Sequence, residues 1–506
     1  MEIELKLALP ARHVARVRRH PLLAEIKPVR QKLHSIYFDT PAFDLMRRGI
    51  ALRVRRVGYH WVQTLKAESR AVGAMSSRPE WEMAVAGGAS PDFAVLPDDA
   101  MALLKGVNLK RIAPAFITEF QRTTWLIVRG EDRAELALDV GKISTGKIHS
   151  GKTHADESRV EAQQDISEVE IELKSGAPGF LFDVAVQLLE QAPLTIEPRS
   201  KAERGYILSG ALSPTPVKAS RPVLSRAQTA GETWNAMMQA ALTQLVANVP
   251  GFLERPQDIE YLHQIRIALR RLRAGVALAK YMEASDPERD AALRELMCGL
   301  NPARDWDVFL HETLPEALTI LADTHPDEAL LSRVQEVAAQ MRQLAQAQFQ
   351  SPGFTRLILD IGRSLLTPPV FEDMPDAKVW AAQTLEKRWQ TLRKRCRNFA
   401  RLDPDERHRA RIAAKKMRYA ADAFAPLFGK RSTRFISALA ALQNGLGRSN
   451  DAHVGMQLLR ALAQKSVPLR FDLGRIDGAL EAEVARHAQL SGAVWRRLAR
   501  AKTFWR

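Results

Sequence analysis

The segment Glu2-Ile3-Glu4-Leu5-Lys6-Leu7 (2–7) alternates charged and apolar residues without a break. A strand sends successive side chains to opposite faces, so Glu2, Glu4 and Lys6 share one face and Ile3, Leu5 and Leu7 the other. The same period returns in ALRVRR (51–56), WVQTLKA (61–67), PEWEMAV (79–85), AELALDV (134–140) and SEVEIELK (167–174). Arg53 and Arg55 oppose Leu52 and Val54, and Glu80 and Glu82 flank Trp81. Glu135 and Asp139 oppose Leu136 and Leu138, while Glu168, Glu170, Glu172 and Lys174 oppose Val169, Ile171 and Leu173. An ordinary half-buried sheet would turn these charges to water. Taken together, however, the polar faces carry both signs in dense sets. The apolar faces need a cover, which helical segments at 10–20, 41–48 and 179–191 can supply. A closed antiparallel barrel with a charged lumen and outer helices meets both requirements.

The chemistry of such a lumen is specific. Gathered carboxylates repel unless a divalent cation neutralises them, and hard oxygen ligands suit Mg2+ or Mn2+. Lys and Arg beside them would receive a polyanion, Arg through bidentate phosphate contacts. Acids for metal and bases for phosphate in one tunnel describe a phosphoryl-transfer site.

Composition agrees. The 506 residues exceed a single core, so two or more domains are expected. The two cysteines, Cys298 and Cys396, exclude a disulfide scaffold and a Cys-rich metal site. No run of about 18 apolar residues occurs, so no transmembrane helix is expected, and the N-terminus lacks the features of a secretion signal. The expectation is a soluble, reduced, cytoplasmic protein. Its formal net charge of +16 calls for a polyanionic partner. That charge is uneven, about +3 over residues 1–210 and about +13 over 211–506. The Ser/Pro/Ala-rich stretch 209–228 lies between them. It reads as a linker, taken as 209–225 between domains at 1–208 and 226–506, and TPPVFEDMPD (367–376) is a weaker break.

Glu2-x-Glu4-x-Lys6, YFDT (37–40), Arg53, Arg55, Lys66, Glu80, Glu82, Arg122, Asp139, EVEIELK (168–174) and PRSKAERGY (198–206) come in an order that resembles the CYTH, or triphosphate tunnel metalloenzyme, family. The resemblance implies an eight-stranded tunnel acting on triphosphates with Mg2+ or Mn2+. It also implies roles. Glu2, Glu4, Asp139, Glu170 and Glu172 would serve the metal, and Lys6, Arg53, Arg55, Lys66, Arg122, Lys174 and Lys201 the phosphate oxygens. Glu2, Glu4, Lys6, Lys66, Glu170 and Glu172 would carry catalysis, with water as nucleophile. Glu80, Glu82 and Asp139 would orient lysines, arginines or a second metal's waters. Glu168 and Glu135 read as carboxylates at the mouth or in solvent.

The remainder is helical by period, and it repeats. His263-x-x-Arg266-Ile-x-x-Arg270-Arg271-x-Arg273 matches His408-x-x-Arg411-Ile-x-x-Lys415-Lys416-x-Arg418 at an offset of 145, and Gly299-Leu300, Arg304-Asp305 and Val308 match Gly445-Leu446, Asn450-Asp451 and Val454. Spacings of 3, 7 and 10 put His263, Arg266, Arg270 and Arg273 on one helical stripe, and likewise His408, Arg411, Lys415 and Arg418. Stacked cations repel, so either carboxylates such as Asp305 and Asp451 screen them or a linear polyanion does. This motif resembles the CHAD family, which implies two four-helix bundles and polyphosphate bound by these eight residues. His263 and His408 would titrate near neutrality and tune that binding. The basic clusters at 387–397 and 495–502 read as solvated helix faces.

The fold class is thus α+β followed by all-α. The function expected is metal-dependent hydrolysis of inorganic triphosphate to diphosphate and phosphate, with polyphosphate as a partner. The alternatives are a non-catalytic polyphosphate-granule protein and an enzyme of organic triphosphates, cyclising ATP or hydrolysing thiamine triphosphate. No nucleobase slot is evident in the sequence. With 7% aromatics and no groove-reading motif, nucleic acid is not the expected partner. The sequence is silent on oligomeric state.

Overall fold

The structure is a computed structural model describing residues 2–67, 70–72, 75–86, 88–146, 161–225, 227–279, 286–322, 328–367, 375–465 and 470–506. The chain forms two compact units, residues 1–216 with 350–366, and residues 217–349 with 367–506.

The first unit is built on antiparallel strands: β1 (Glu2–Ala8), β2 (Val29–Asp39), β3 (Ala51–Val57), β4 (His60–Lys66), β5 (Arg70–Val72), β6 (Met75–Arg78), β7 (Glu80–Val85), β8 (Ala113–Arg129), β9 (Asp132–Ser144), β10 (Gln163–Ser175) and β11 (Thr195–Ile196). Their order is β5-β6-β1-β10-β9-β8-β2-β3-β4-β7, with β11 also on β1. Counting β6 and β7 as one continuous segment, eight strands form the wall, and β5 and β11 are short additions. Closure happens at one residue. Arg78 of β6 pairs with Glu2 of β1, whereas Glu80 of β7 pairs with Lys66 of β4. One continuous segment thus joins both margins of the sheet. Pro79 stands between, where the missing N–H costs no ladder bond, and its carbonyl accepts from the Ala67 N–H at 3.2 Å.

The apolar faces turn outward under helices. α2 (Asp44–Arg47) and α3 (Asp98–Leu103) cover Ile36, Phe38, Leu52, Val54 and Leu65. α4 (Gly179–Leu189) packs on β1, β9 and β10, and α1 (Val14–Arg18) is a single turn that buries Val17. The lumen is not charged throughout, however. Leu33, Phe116, Phe120, Ile143 and Ile166 lie on the same strand faces as the charged set and cluster beneath α5 (Lys201–Leu208) with Ala202 and Tyr206. α5 seats there because Gly205 has no Cβ, which would fall 2.1 Å from the Phe116 ring. It plugs one end of the barrel and delivers Lys201 to the other.

The second unit is helical. Its first set is α6 (Ala230–Glu254), α7 (Ile259–Ala279), α8 (Pro287–Val308), a short α9 (Leu314–Ile320) and α10 (Glu328–Phe349). Its second set is α12 (Ala377–Arg395), α13 (Pro404–Phe428), α14 (Thr433–Lys465) and α15 (Arg470–Ala499). In the first set α6 packs on α7, α7 on α8, and α8 on α10; in the second α12 packs on α13, α13 on α14, and α14 on α15. Equivalent helices also meet across the two sets, α6 with α12, α7 with α13 and α8 with α14. These are the two four-helix bundles of the sequence repeat.

One helix between the sets goes elsewhere. α11 (Pro352–Ser364), inside the range expected for the helical domain, packs on α4 of the first unit. Phe354, Ile358, Leu359 and Ile361 are buried, Thr355 Oγ1 donates to the Leu194 carbonyl at 2.8 Å, and Arg363 lies 2.7 Å from Asp183. Its apolar stripe matches an outer helix of the barrel, which the periodicity of an isolated helix could not reveal. No helix among the described residues is long and apolar enough to cross a membrane.

Candidate functional site

The barrel encloses a cavity of about 210 Å³, lined among others by Glu2, Glu4, Lys6, Arg53, Arg55, Lys66, Glu80, Glu82, Arg122, Glu170, Glu172, Lys174 and Lys201. The strand register explains the company. Glu4 stands directly opposite Glu172, and Lys6 opposite Glu170. Like charges facing across a ladder are destabilising, and cations answer both: Arg78 lies 2.9 Å from Glu4 and Lys174 2.8 Å from Glu172.

Two groups form inside. On the β1–β4–β7 side, the Lys66 ammonium lies 2.8 Å from Glu2 and 2.9 Å from Glu80. Burial opposes ionisation of Glu2, but Lys66 and Arg78 hold its carboxyl down at about 2. Burial, and then neighbouring Glu2, push the Glu80 carboxyl up. On the opposite side, Lys201 lies 2.7 Å from Asp139 and 2.9 Å from Glu170, and Arg122 binds Asp139 through two hydrogen bonds of 2.8 and 2.7 Å. Arg122 also reaches Glu170, and Lys6 approaches Glu170 at 3.2 Å. Burial opposes these charges too, yet the three cations hold Glu170 well below the usual carboxylate range, and the carboxylates raise Lys201. The Phe120 ring faces Lys201, Arg122 and Arg55 at 5.0, 5.7 and 5.8 Å, a π surface for the cation cluster.

Between the groups, Arg53 and Arg55 project from β3. Burial, then Arg53 and Arg122, push the Arg55 guanidinium down to about 9. Its hydrogen bond goes to the neutral Ser35 hydroxyl at 3.0 Å. Lys66 is likewise lowered by burial, Arg53 and Arg78.

Asp139 is fully buried behind Arg122 and Lys201, outside the cavity lining, where it aims those cations, and its carboxylate also groups with those of Glu168 and Glu170, their oxygens within 4.8 Å of one another. Two residues stand apart from the sequence reading. Glu168 is not a mouth or solvent carboxylate. It is fully buried, held by Lys201 and, at 2.7 Å, by Arg204. Arg78 was not anticipated. It lines the cavity and meets Glu2 at 3.1 Å and Glu4 at 2.9 Å. Extending the alternation of 80 and 82 back across Pro79 would have found it. Glu135, Glu172 and Lys174 are half-exposed near one another at the mouth, with Lys174 2.8 Å from Glu172.

In the helical unit the two stripes meet where α7 packs on α13. Arg266 donates to Asn301 at 2.7 Å and Arg411 to Asn450 at 2.8 Å, while Arg270 crosses to the Tyr419 ring at 5.9 Å. Burial, and then Arg270, lower Arg266 to about 10; burial, then Arg411 and Arg270, lower Lys415 to about 7. Asp305 and Asp451 lie among these cations, their carboxyls raised by burial. The outer members diverge. Arg273 turns to Asp290 at 3.3 Å, and Arg418 to Asp422 at 3.4 Å. His408 is exposed. Burial lowers both histidines, helped by Arg304 at His263 and by Arg411 at His408. Lys415 thus joins the two histidines as a group whose charge answers to its surroundings.

Family models match the CYTH domain over residues 1–206 and the CHAD domain over residues 236–460. An inorganic triphosphatase of Haemophilus influenzae is 31% identical over 210 residues, which is 41% of this chain and 54% of that protein. The chain thus spans about half the length of this curated relative. The solved CHAD domain of the plant Ricinus communis is 30% identical, with a TM-score of 0.52, covering 57% of this chain and 98% of that one. The chain belongs to the proteins in which a CYTH domain is followed by a CHAD domain.

Proposed function

We propose that the tunnel hydrolyses inorganic triphosphate to diphosphate and phosphate, with Mg2+ or Mn2+, and that the helical unit binds polyphosphate. The state of Arg55 carries the first part. It is a buried guanidinium crowded by two others, with no carboxylate at ion-pair distance among the described residues. An anion with several linked charges would relieve that crowding. Lys6, Arg53, Arg55, Lys66, Arg122 and Lys201 are placed to take its oxygens, with Lys174 at the entrance. The carboxylates fit a divalent ion, because Glu4 and Glu172 face each other with Glu2 and Glu170 beside them. Such an ion would neutralise phosphate oxygens and acidify a bound water. Glu80, whose carboxyl is raised beside Glu2, is positioned to accept a proton from the attacking water.

One observation favours a second reading. A chamber of about 520 Å³ adjoins the tunnel, sharing Glu4, Lys6, Lys66 and Arg78, and its other walls include Met46, Ile50, Met75, Tyr206 and Leu212. An organic group on a triphosphate would fit such a wall.

The polyphosphate reading rests on His263, Arg266, Arg270, Arg273, His408, Arg411, Lys415 and Arg418. Of these, Arg266, Arg270, Arg411 and Lys415 converge, and an added polyanion would restore the depressed charges of Arg266, Arg411 and Lys415. The same reading puts the protein in the cytoplasm at polyphosphate granules.

The test is phosphate release by the full chain from tripolyphosphate, with each metal, beside Glu4→Gln and beside ATP. Metal-dependent release from tripolyphosphate, lost in the variant and weak on ATP, is expected. Stronger turnover of ATP favours the organic reading, and no release from either overturns the enzyme.

A further inference from the structure

The interdomain segment is anchored where it enters the helical unit. The Val217 N–H donates to Asn248 Oδ1 at 2.9 Å, and the Val217 carbonyl accepts from Asn248 Nδ2 at 2.9 Å. Asn248 is fully buried on α6. Three residues on, the Ser220 carbonyl accepts from Arg271 Nη2 at 2.8 Å, while Arg271 Nη1 donates to Gln244 Oε1 at 2.9 Å. Arg271 belongs to the repeated basic motif but lies off its stripe. Pro222 follows, and Val223 then stands 93% exposed. Residues 217–222 are thus a strap across α6 and α7.

Beneath the strap is a chamber of about 540 Å³, within the range of small-ligand sites, about 300–1,000 Å³. Ala219 to Pro222 form one wall of it. Arg221, Arg270, Arg271, Arg418 and His263 also line it, against the single carboxylate Asp422. Arg418 already engages that carboxylate at 3.4 Å. Met237, Ile267 and Leu278 complete the lining, and apolar walls strengthen charge contacts beside them. The chamber brings residues of both basic repeats under one segment of chain.

We propose that this strap is a working part of the polyanion site: a run of linked phosphates enters the chamber, Arg221 supplies a cation from the interdomain segment, and Arg271 positions Ser220 and Arg221 over the ligand. The proposal rests on the polyphosphate reading of the helical unit. Linked phosphates are the occupant because four guanidinium groups face one carboxylate in a single chamber. Binding there holds the interdomain segment as well as the helices.

The experiment is amide hydrogen exchange on the full chain, with and without long-chain polyphosphate, alongside binding measured across salt concentrations. Exchange at Lys218 to Arg221 slows on binding. Arg221→Ala weakens binding about fivefold, as for an exposed charge contact, and lowers the salt slope by about one. Arg271→Ala releases the strap, so exchange at 219–221 stays fast with ligand present, while exchange within α7 is unchanged. Polyphosphate that binds without slowing this exchange, and binds the Arg221 variant equally well, overturns the strap and leaves the polyphosphate reading standing. No binding of polyphosphate overturns both.

Discussion

Asp139→Asn separates a residue that aims cations from one that holds metal. The Asp139 carboxylate is fully buried, takes two hydrogen bonds from Arg122, and lies 2.7 Å from the Lys201 ammonium. Asparagine keeps the volume and removes the charge. Losing one partner of a buried ion pair costs about 3–5 kcal/mol when the other is stranded. Here Glu170 still reaches both cations and Glu168 still reaches Lys201. The cost therefore falls at the low end, about 3 kcal/mol. For a unit of roughly 200 residues this lowers Tm by about 6–12 °C. Burial opposes the Asp139 charge, but Lys201 and Arg122 hold its carboxyl below the usual value. Its contribution is thus present above the unfolded carboxylate range and lost as pH falls through the folded value, so wild type and variant converge in acid. The assay is calorimetry of the full chain against pH, beside activity against Mg2+ concentration. Lower Tm and reduced kcat with an unchanged metal midpoint are expected. A metal midpoint raised about tenfold, about 1.4 kcal/mol, with Tm unmoved would refute the reasoning and make Asp139 a ligand.

Other perturbations probe other links. Gly205→Val forces a side chain into the Phe116 ring and lifts α5; stability falls by about 1–3 kcal/mol and turnover falls further as Lys201 moves, measured by Tm and kcat together. Lys415, among Arg411, Arg270, Arg266 and Asp451, loses its charge near pH 7, so polyphosphate affinity falls as pH rises through that value. Lys415→Arg abolishes this fall and Lys415→Gln is weak throughout; binding isotherms at pH 6 and pH 8, about one unit to either side, decide it. Ile358→Asp on α11 buries a charge against α4 and lowers the stability of the barrel unit by several kcal/mol, about 3–5 by analogy with a stranded buried charge. Exchange at β1 and β10 amides reads the loss, and no change there would show that α11 does not support the barrel.

How much was legible follows from the range of each interaction. Strand faces follow from a period of two, so Glu2, Glu4, Lys6, Arg53, Arg55, Lys66 and Glu170 could be assigned to one lumen before any coordinate. The stripes on α7 and α13 follow in the same way from a period of 3.6. Arg78 escaped because the reading of its strand stopped at Pro79, the residue at which the segment changes partner. Phe116, Phe120 and Ile143 share the lumen face, but an apolar residue on a strand does not itself tell which face is the lumen. Their role appears only with α5 above them.

Sequence alone determined the element types, the order of two domains, the duplication and the set of charges that could meet, because each depends on local periodicity or on matching residues at a fixed offset. The tertiary structure decided the rest. It joined the barrel through one segment at Pro79, plugged one end with α5, placed Asp139 and Glu168 behind the cations, sent α11 to the barrel, and brought Lys415 down to about 7 among its neighbouring cations. Each of these depends on which distant side chains share a low-dielectric space. Burial and neighbouring charge act through space, and no spacing along the chain encodes their magnitude.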